Sequence, residues 1–98
     1  MPTKTWKTHE RKVAQLAGGK RNGATGTNSA DVSNGLLDIE VKHGKRIPKF
    51  VVDALGQAQR NAAPGRVPVV VLHPAHSSHY VAVLDLQDLI KLIGGVDS

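Results

Sequence analysis

Asp31, Glu40 and Lys42 follow one another as Asp-x8-Glu-x-Lys, and a further acid, Glu10, stands upstream of them. Two carboxylates on adjacent strands of a hairpin can converge on one point. An all-oxygen pocket of that kind suits Mg²⁺ or Mn²⁺ and not a soft metal. An ion held there would stabilise charge on a phosphate and lower the pKa of a bound water. Lys42, two residues beyond Glu40, projects to the same side of a strand. There it would place or deprotonate the attacking water, or neutralise the charge developing on phosphorus. The chemistry these residue types suggest together is hydrolysis of a phosphodiester. Each also has an ordinary reading: Asp31 as a turn or cap residue, Glu40 and Lys42 as a strand's wet face, Glu10 as half of a structural ion pair.

The elements that must position these groups can be read from periodicity. Residues 5–17 carry Trp6, Val13, Leu16 and Ala17 as an apolar stripe, with Thr5 or Thr8 available as N-cap and Gly18-Gly19 as the stop. Glu10 lies four residues after Trp6 and three before Val13, so it shares that inward face. A carboxylate there needs a cation or hydrogen bonds to compensate it. Residues 18–35 are rich in Gly, Asn, Ser and Thr and read as a loop, with a short strand around 30–33 and a hairpin turn at Ser33-Asn34-Gly35. In "LLDIEVKHGK", residues 36–45, Leu37, Ile39 and Val41 alternate with Asp38, Glu40 and Lys42, the pattern of a half-buried strand.

Downstream, Pro48 opens a helix whose inward positions are Val51, Leu55, Ala58 and Ala62, and Pro64-Gly65 closes it. Residues 67–73 and 80–84 read as strands. Asp85 caps a last helix, "LQDLIKLI", which Gly94-Gly95 ends. The expected fold class is α/β: one domain spanning residues 1–98, with a sheet flanked by helices.

Composition narrows the partners. The chain has 98 residues, with 13 Lys plus Arg against 8 Asp plus Glu, for a formal charge of +5. The excess is concentrated at Lys4, Lys7, Arg11, Lys12, Lys20 and Arg21, and again at Lys42, Lys45, Arg46 and Lys49. That points to an anionic partner, with nucleic acid foremost. One Phe, one Trp and one Tyr leave little for stacking on bases, so backbone and shape recognition is expected over sequence readout. The chain has no Cys, which excludes disulfides and thiolate metal sites and fits a reducing cytoplasm. The N-terminus has no apolar run of signal-peptide type, and "VPVVVL" is too short to span a bilayer, so no membrane partner is expected.

Taken together, a helix bearing Glu10, then Asp31, then "IEVK" at 39–42, then a helix with "QAQ" at 57–59, resembles the PD-(D/E)XK nuclease superfamily. Within it, the chain looks most like small phage and archaeal Holliday-junction resolvases and the virus-type replication-repair nucleases. The resemblance runs from Glu10 to the strand at 67–73 and implies a restriction-endonuclease-like core, a mixed central β-sheet flanked by helices. It implies that Asp31 and Glu40 bind Mg²⁺ or Mn²⁺ with the backbone carbonyl of Val41, that Glu10 joins or supports the site, and that Lys42 acts on the water. A Gln on the following helix would contact the site or DNA. Likeness favours Gln57, whereas periodicity favours Gln59 as the inward one. The motif's usual Pro before the Asp is Ala30 here, a departure tolerated in the resolvase-like branch. The implied activity is a metal-dependent DNA endonuclease, structure-selective, leaving a 5′-phosphate. Lys20, Arg21, Lys45, Arg46 and Lys49 are the candidate DNA contacts. Paired cuts and a small core both suggest a homodimer. A phage or mobile element acting in a bacterial host cell is the implied setting.

Other signals carry less. His73, His76 and His79 have zinc-like spacing, but with no Cys and with Pro and Ser between them they read as a surface turn. His43 alternates away from Lys42, and His9 reads as an exposed helical residue. Gly19-Lys20 and Gly44-Lys45 lack the Ser or Thr and the upstream Gly of a phosphate loop. Two rivals to the nuclease remain: a non-catalytic basic nucleic-acid-binding module that keeps the fold, and a small assembly protein whose acids are ion-paired.

Overall fold

The computed structural model describes residues 2–22 and 30–94. It is a small mixed α/β protein whose described elements are three helices and two antiparallel sheets. Helix α1 (Pro2–Ala17) starts earlier than its apolar stripe suggests, with Pro2 as its first residue. Thr5 and Thr8 therefore lie inside the helix and not at its start. Its end is a Schellman closure: Gly18 adopts φ 64°, the Gly19 N–H donates to Ala14 O at 2.9 Å, and the Gly18 N–H donates to Gln15 O at 3.4 Å. Gly19 is also required for space, since a Cβ there would lie 2.2 Å from the Ser33 carbonyl oxygen.

That close approach seats the end of α1 on the first sheet, β1 (Lys20–Arg21), β2 (Val32–Ser33) and β3 (Asp38–Ile39), ordered β1-β2-β3. The register pairs Arg21 with Val32, and Val32 with Ile39. Ala14, Ala17 and Val32 form the buried apolar centre. Small side chains on the helix let it approach the strand closely. The expected hairpin turn is present. The Asn34 side-chain oxygen accepts from the Leu36 and Leu37 N–H groups, and its amide nitrogen donates to Ala17 O at 2.8 Å, tying the turn to the helix end.

Two expectations need correction. Lys20 and Arg21 belong to a strand, not a loop: turn-rich composition concealed a two-residue ladder that depends on a partner eleven to thirteen residues away. The strand expected over 36–45 pairs only at Asp38–Ile39, so Glu40, Val41 and Lys42 extend beyond the ladder.

Helix α2 (Lys49–Asn61) begins after Pro48 and lies against β4 (Val70–Leu72), which pairs with β5 (Val81–Val83). In α3 (Leu86–Leu92) the Asp85 carboxylate caps the helix, accepting from the Gln87 N–H at 2.8 Å, and the helix packs on α1. The single mixed central sheet is thus not what forms among the described residues. β4 pairs with β5 across a short connection rather than with β3, and the ladders form two separate sheets. Local antiparallel pairing closes a much shorter loop than a crossover to β3 would.

Candidate active site

Asp31 sits at a bend immediately before β2. Its Oδ2 accepts a hydrogen bond from the Val41 N–H at 2.9 Å. This bond carries the acid across to the backbone between Glu40 and Lys42. Asn22 holds Asp31 from the other side. Its N–H donates to Asp31 O at 2.9 Å, and its side-chain amide donates to Ala30 O at 2.6 Å and Ser33 Oγ at 3.0 Å. Ser33 Oγ in turn donates to Asp38 Oδ1 at 2.8 Å. Asn22 and Ser33 escaped the sequence reading because their partners lie five to eleven residues away and neither residue type is diagnostic in a turn-rich stretch.

Glu40 and Lys42 fall on the same side, as alternation predicts, with Lys42 Nζ 3.7 Å from Glu40 Oε2. Both are exposed, at 62% and 82% respectively, so this loose pair contributes little to stability and leaves both groups accessible. Glu10 is different. It is buried, as its helical position requires, and its Oε1 accepts from Arg21 Nε at 2.7 Å. Its charge is balanced by Arg21 from β1, the structural pairing foreseen as one of its two readings.

The rings of His9 and His43 stack with centroids 4.0 Å apart and planes 26° apart, linking α1 to the segment after Lys42. Just beyond, Lys42, His43, Gly44, Lys45, Arg46, Ile47 and Pro48 line a concavity of about 590 Å³. Gly44, at φ 130°, supplies a backbone turn that a side chain would strain, although nothing crowds its Cβ position. Lys42, Lys45 and Arg46 make this hollow basic. The other candidate DNA contacts are placed differently. Lys20 is exposed beside a second hollow with Gly19, Ser33, Asn34 and Gly35. Arg21 is engaged by Glu10, and Lys49 Nζ is paired with Asp53 Oδ2 at 2.8 Å along α2.

Gln57 and Gln59 are both exposed, so the inward position that periodicity assigns to Gln59 is not adopted. The half-buried positions of α2 are Val51, Ala54, Leu55, Gly56 and Ala58. The three C-terminal histidines form the expected surface turn. His73 Nε2 lies 2.8 Å from Ser77 O, its ring stacks on Tyr80, His76 adopts φ 62°, and the His79 N–H donates to Ser77 Oγ.

Among the described residues, no group of three or more His, Cys, Asp or Glu side chains is placed to hold a metal ion. The carboxylates flanking Val41 are Asp31, which accepts from its N–H, and Glu40, which precedes it and pairs with Lys42. Mg²⁺ commonly binds through one or two carboxylates and keeps several waters, so these are groups of the type it takes. Among the described residues, no helix is long and apolar enough to cross a membrane. No protein-family model, curated protein or solved structure matches the chain.

Proposed function

We propose that this protein is a divalent-metal-dependent DNA endonuclease, structure-selective in the manner of Holliday-junction resolvases. The observation that carries the reading is the Asp31–Val41 hydrogen bond. It draws one acid of the Asp-x8-Glu-x-Lys motif to the backbone joining the other acid to the lysine, and that lysine lines a hollow with Lys45 and Arg46. On this reading two copies act as a homodimer in the cytoplasm of a bacterial host.

The roles follow from position. Asp31, held by Val41 and Asn22, and Glu40 supply carboxylate oxygens to Mg²⁺ or Mn²⁺, with the Val41 carbonyl as a third donor. The bound ion would supply Lewis-acid stabilisation of phosphate charge. Lys42, mostly exposed beside Glu40, would hold or accept the proton of the attacking water, or offset charge on the phosphate oxygens. Lys45 and Arg46 would hold the DNA backbone in the hollow, with Lys20 extending the contact. Glu10 would act on the site through Arg21 and β1, and Gln57 would approach the substrate from α2.

One observation favours the rival non-catalytic DNA-binding module. The third acid, Glu10, already has a cationic partner. A single experiment separates the two. Wild type and Glu40→Ala are incubated with branched, nicked and linear DNA in Mg²⁺, Mn²⁺ or EDTA. Metal-dependent cutting that the substitution abolishes supports the nuclease. Binding that persists in EDTA, with no cutting of any substrate, overturns it.

A further inference from the structure

The ladder of β3 ends at Ile39, and residues 40–49 are exposed except for Val41, which is half-buried. With neither pairing nor deep burial, discrete contacts must hold such a stretch in one conformation against its backbone entropy. Among the described residues, two directed contacts tie it to other elements. The Val41 N–H donates to Asp31 Oδ2 at 2.9 Å. Two residues further on, the His43 ring stacks on His9 of α1, with centroids 4.0 Å apart and planes 26° apart. Lys42 is the residue between these two anchors. The α1 side of the stack is itself held. His9 precedes Glu10, the buried acid whose Oε1 accepts from Arg21 Nε on β1 at 2.7 Å. That pair ties this turn of α1 to the first sheet, so His9 is presented from fixed backbone. Both histidines are exposed, so burial does not account for their contact. Stacked rings constrain distance and tilt together, which makes the contact directional.

We infer that His9 and His43 are positioning residues for Lys42. They act through the Lys42 backbone and not by contact with metal or DNA. The stack fixes the chain on the C-terminal side of Lys42, as the Asp31 bond fixes it on the N-terminal side. An exposed lysine on a free segment would sweep a wide volume. On a clamped one, its Nζ stays beside Glu40 Oε2, 3.7 Å away. The inference rests on the nuclease reading, in which Lys42 serves the attacking water. For such a group a displacement of about 1 Å can lower the rate about a hundredfold. His9 is not among the residues lining the basic hollow, so removing its ring leaves Lys45 and Arg46 there to hold DNA. The loss should therefore fall on the chemical step and not on affinity.

The test compares the intact wild type with His9→Ala, His43→Ala, the double substitution and His9→Phe. Single-turnover cleavage of branched DNA is measured in Mg²⁺, DNA affinity in EDTA, and hydrogen exchange at the Val41 amide alongside. His9→Ala is expected to cut about tenfold or more slowly at saturating DNA, with affinity within about twofold of wild type. The double substitution should be no slower than the slower single one, because either removal abolishes the same stack. His9→Phe keeps a ring for His43 and should recover most of the rate. Val41 exchange should rise in His9→Ala and fall back in His9→Phe. If the alanine variants do not fold, His9→Gln, polar and without a ring, takes their place. Cutting at the wild-type rate without the His9 ring overturns the inference. So do losses that multiply in the double substitution, a His9→Phe no faster than His9→Ala, a loss confined to affinity, or Val41 exchange that ignores the substitutions. The two failures separate. A wild type that cuts no substrate overturns the nuclease reading and this inference with it, whereas a wild type that cuts, with variants that cut equally well, overturns the inference alone.

Discussion

The Asp31 side chain accepts a hydrogen bond from the Val41 N–H at 2.9 Å, bridging the approach to β2 and the segment leaving β3. This bond is also what holds Glu40 and Lys42 near a second acid, because the ladder that would otherwise align them ends at Ile39. Asp31→Asn keeps an acceptor for Val41 and loses the charge. It should cost about 1 kcal/mol or less in urea unfolding. In the cleavage assay it should abolish metal-dependent cutting. Asp31→Ala loses both and should cost about 1–2 kcal/mol. An Asp31→Asn protein that cuts at the wild-type rate would remove Asp31 from the proposed metal site.

Glu10, buried on α1, pairs with the partly buried Arg21. Removing Glu10 takes away the carboxylate that balances Arg21, which keeps its other contacts. Arg21 keeps partial access to solvent, so the cost of Glu10→Ala should be below the usual range, at about 2–3 kcal/mol. Chemical denaturation checks this. A loss under about 0.5 kcal/mol, the range of ordinary surface substitutions, would mean that the pair is not structural and that Glu10 is available for other work.

Gly19→Ala places a methyl group against backbone on β2, since the nearest atom is the Ser33 carbonyl oxygen at 2.2 Å. No rotamer change relieves a contact between two backbones. Destabilisation of about 2–3 kcal/mol is expected, read as a drop in thermal midpoint. A midpoint unchanged from wild type would contradict the seating of α1 on the first sheet.

The basic hollow makes a graded prediction about DNA binding. Lys45→Ala with Arg46→Ala should weaken binding across sequences and reduce the salt-dependence slope by about 2, one unit per lost phosphate contact. Lys49→Ala should do less, because the Lys49 ammonium is already paired with Asp53 at 2.8 Å. Equal effects from all three positions, measured by fluorescence anisotropy over a salt series, would argue against the hollow as the DNA contact.

Much of the local architecture was legible in the linear chain. The stop at Gly18-Gly19, the turn at Asn34, the Asp85 cap and the shared side of Glu40 and Lys42 all depend on residues within a few positions of one another. Steric and hydrogen-bonding rules act directly at that range. β1 was not legible, because a two-residue strand in a turn-rich stretch has no period of its own. Nor was the inward position of Gln59 correct, because α2 packs against β4 in a rotation that leaves both glutamines outside.

By itself, then, the sequence determined which residues could face one another along each element, and where a carboxylate would be forced inward on α1. Only the tertiary structure decided that Glu10 meets Arg21, that Asp31 meets Val41 under the hold of Asn22, and that β4 pairs with β5 and not with β3. Each of these joins residues about ten or more positions apart. Closing such a loop has an entropic cost that many alternative partners share, and the packing of α1 onto β2 and of α2 onto β4 selects among them.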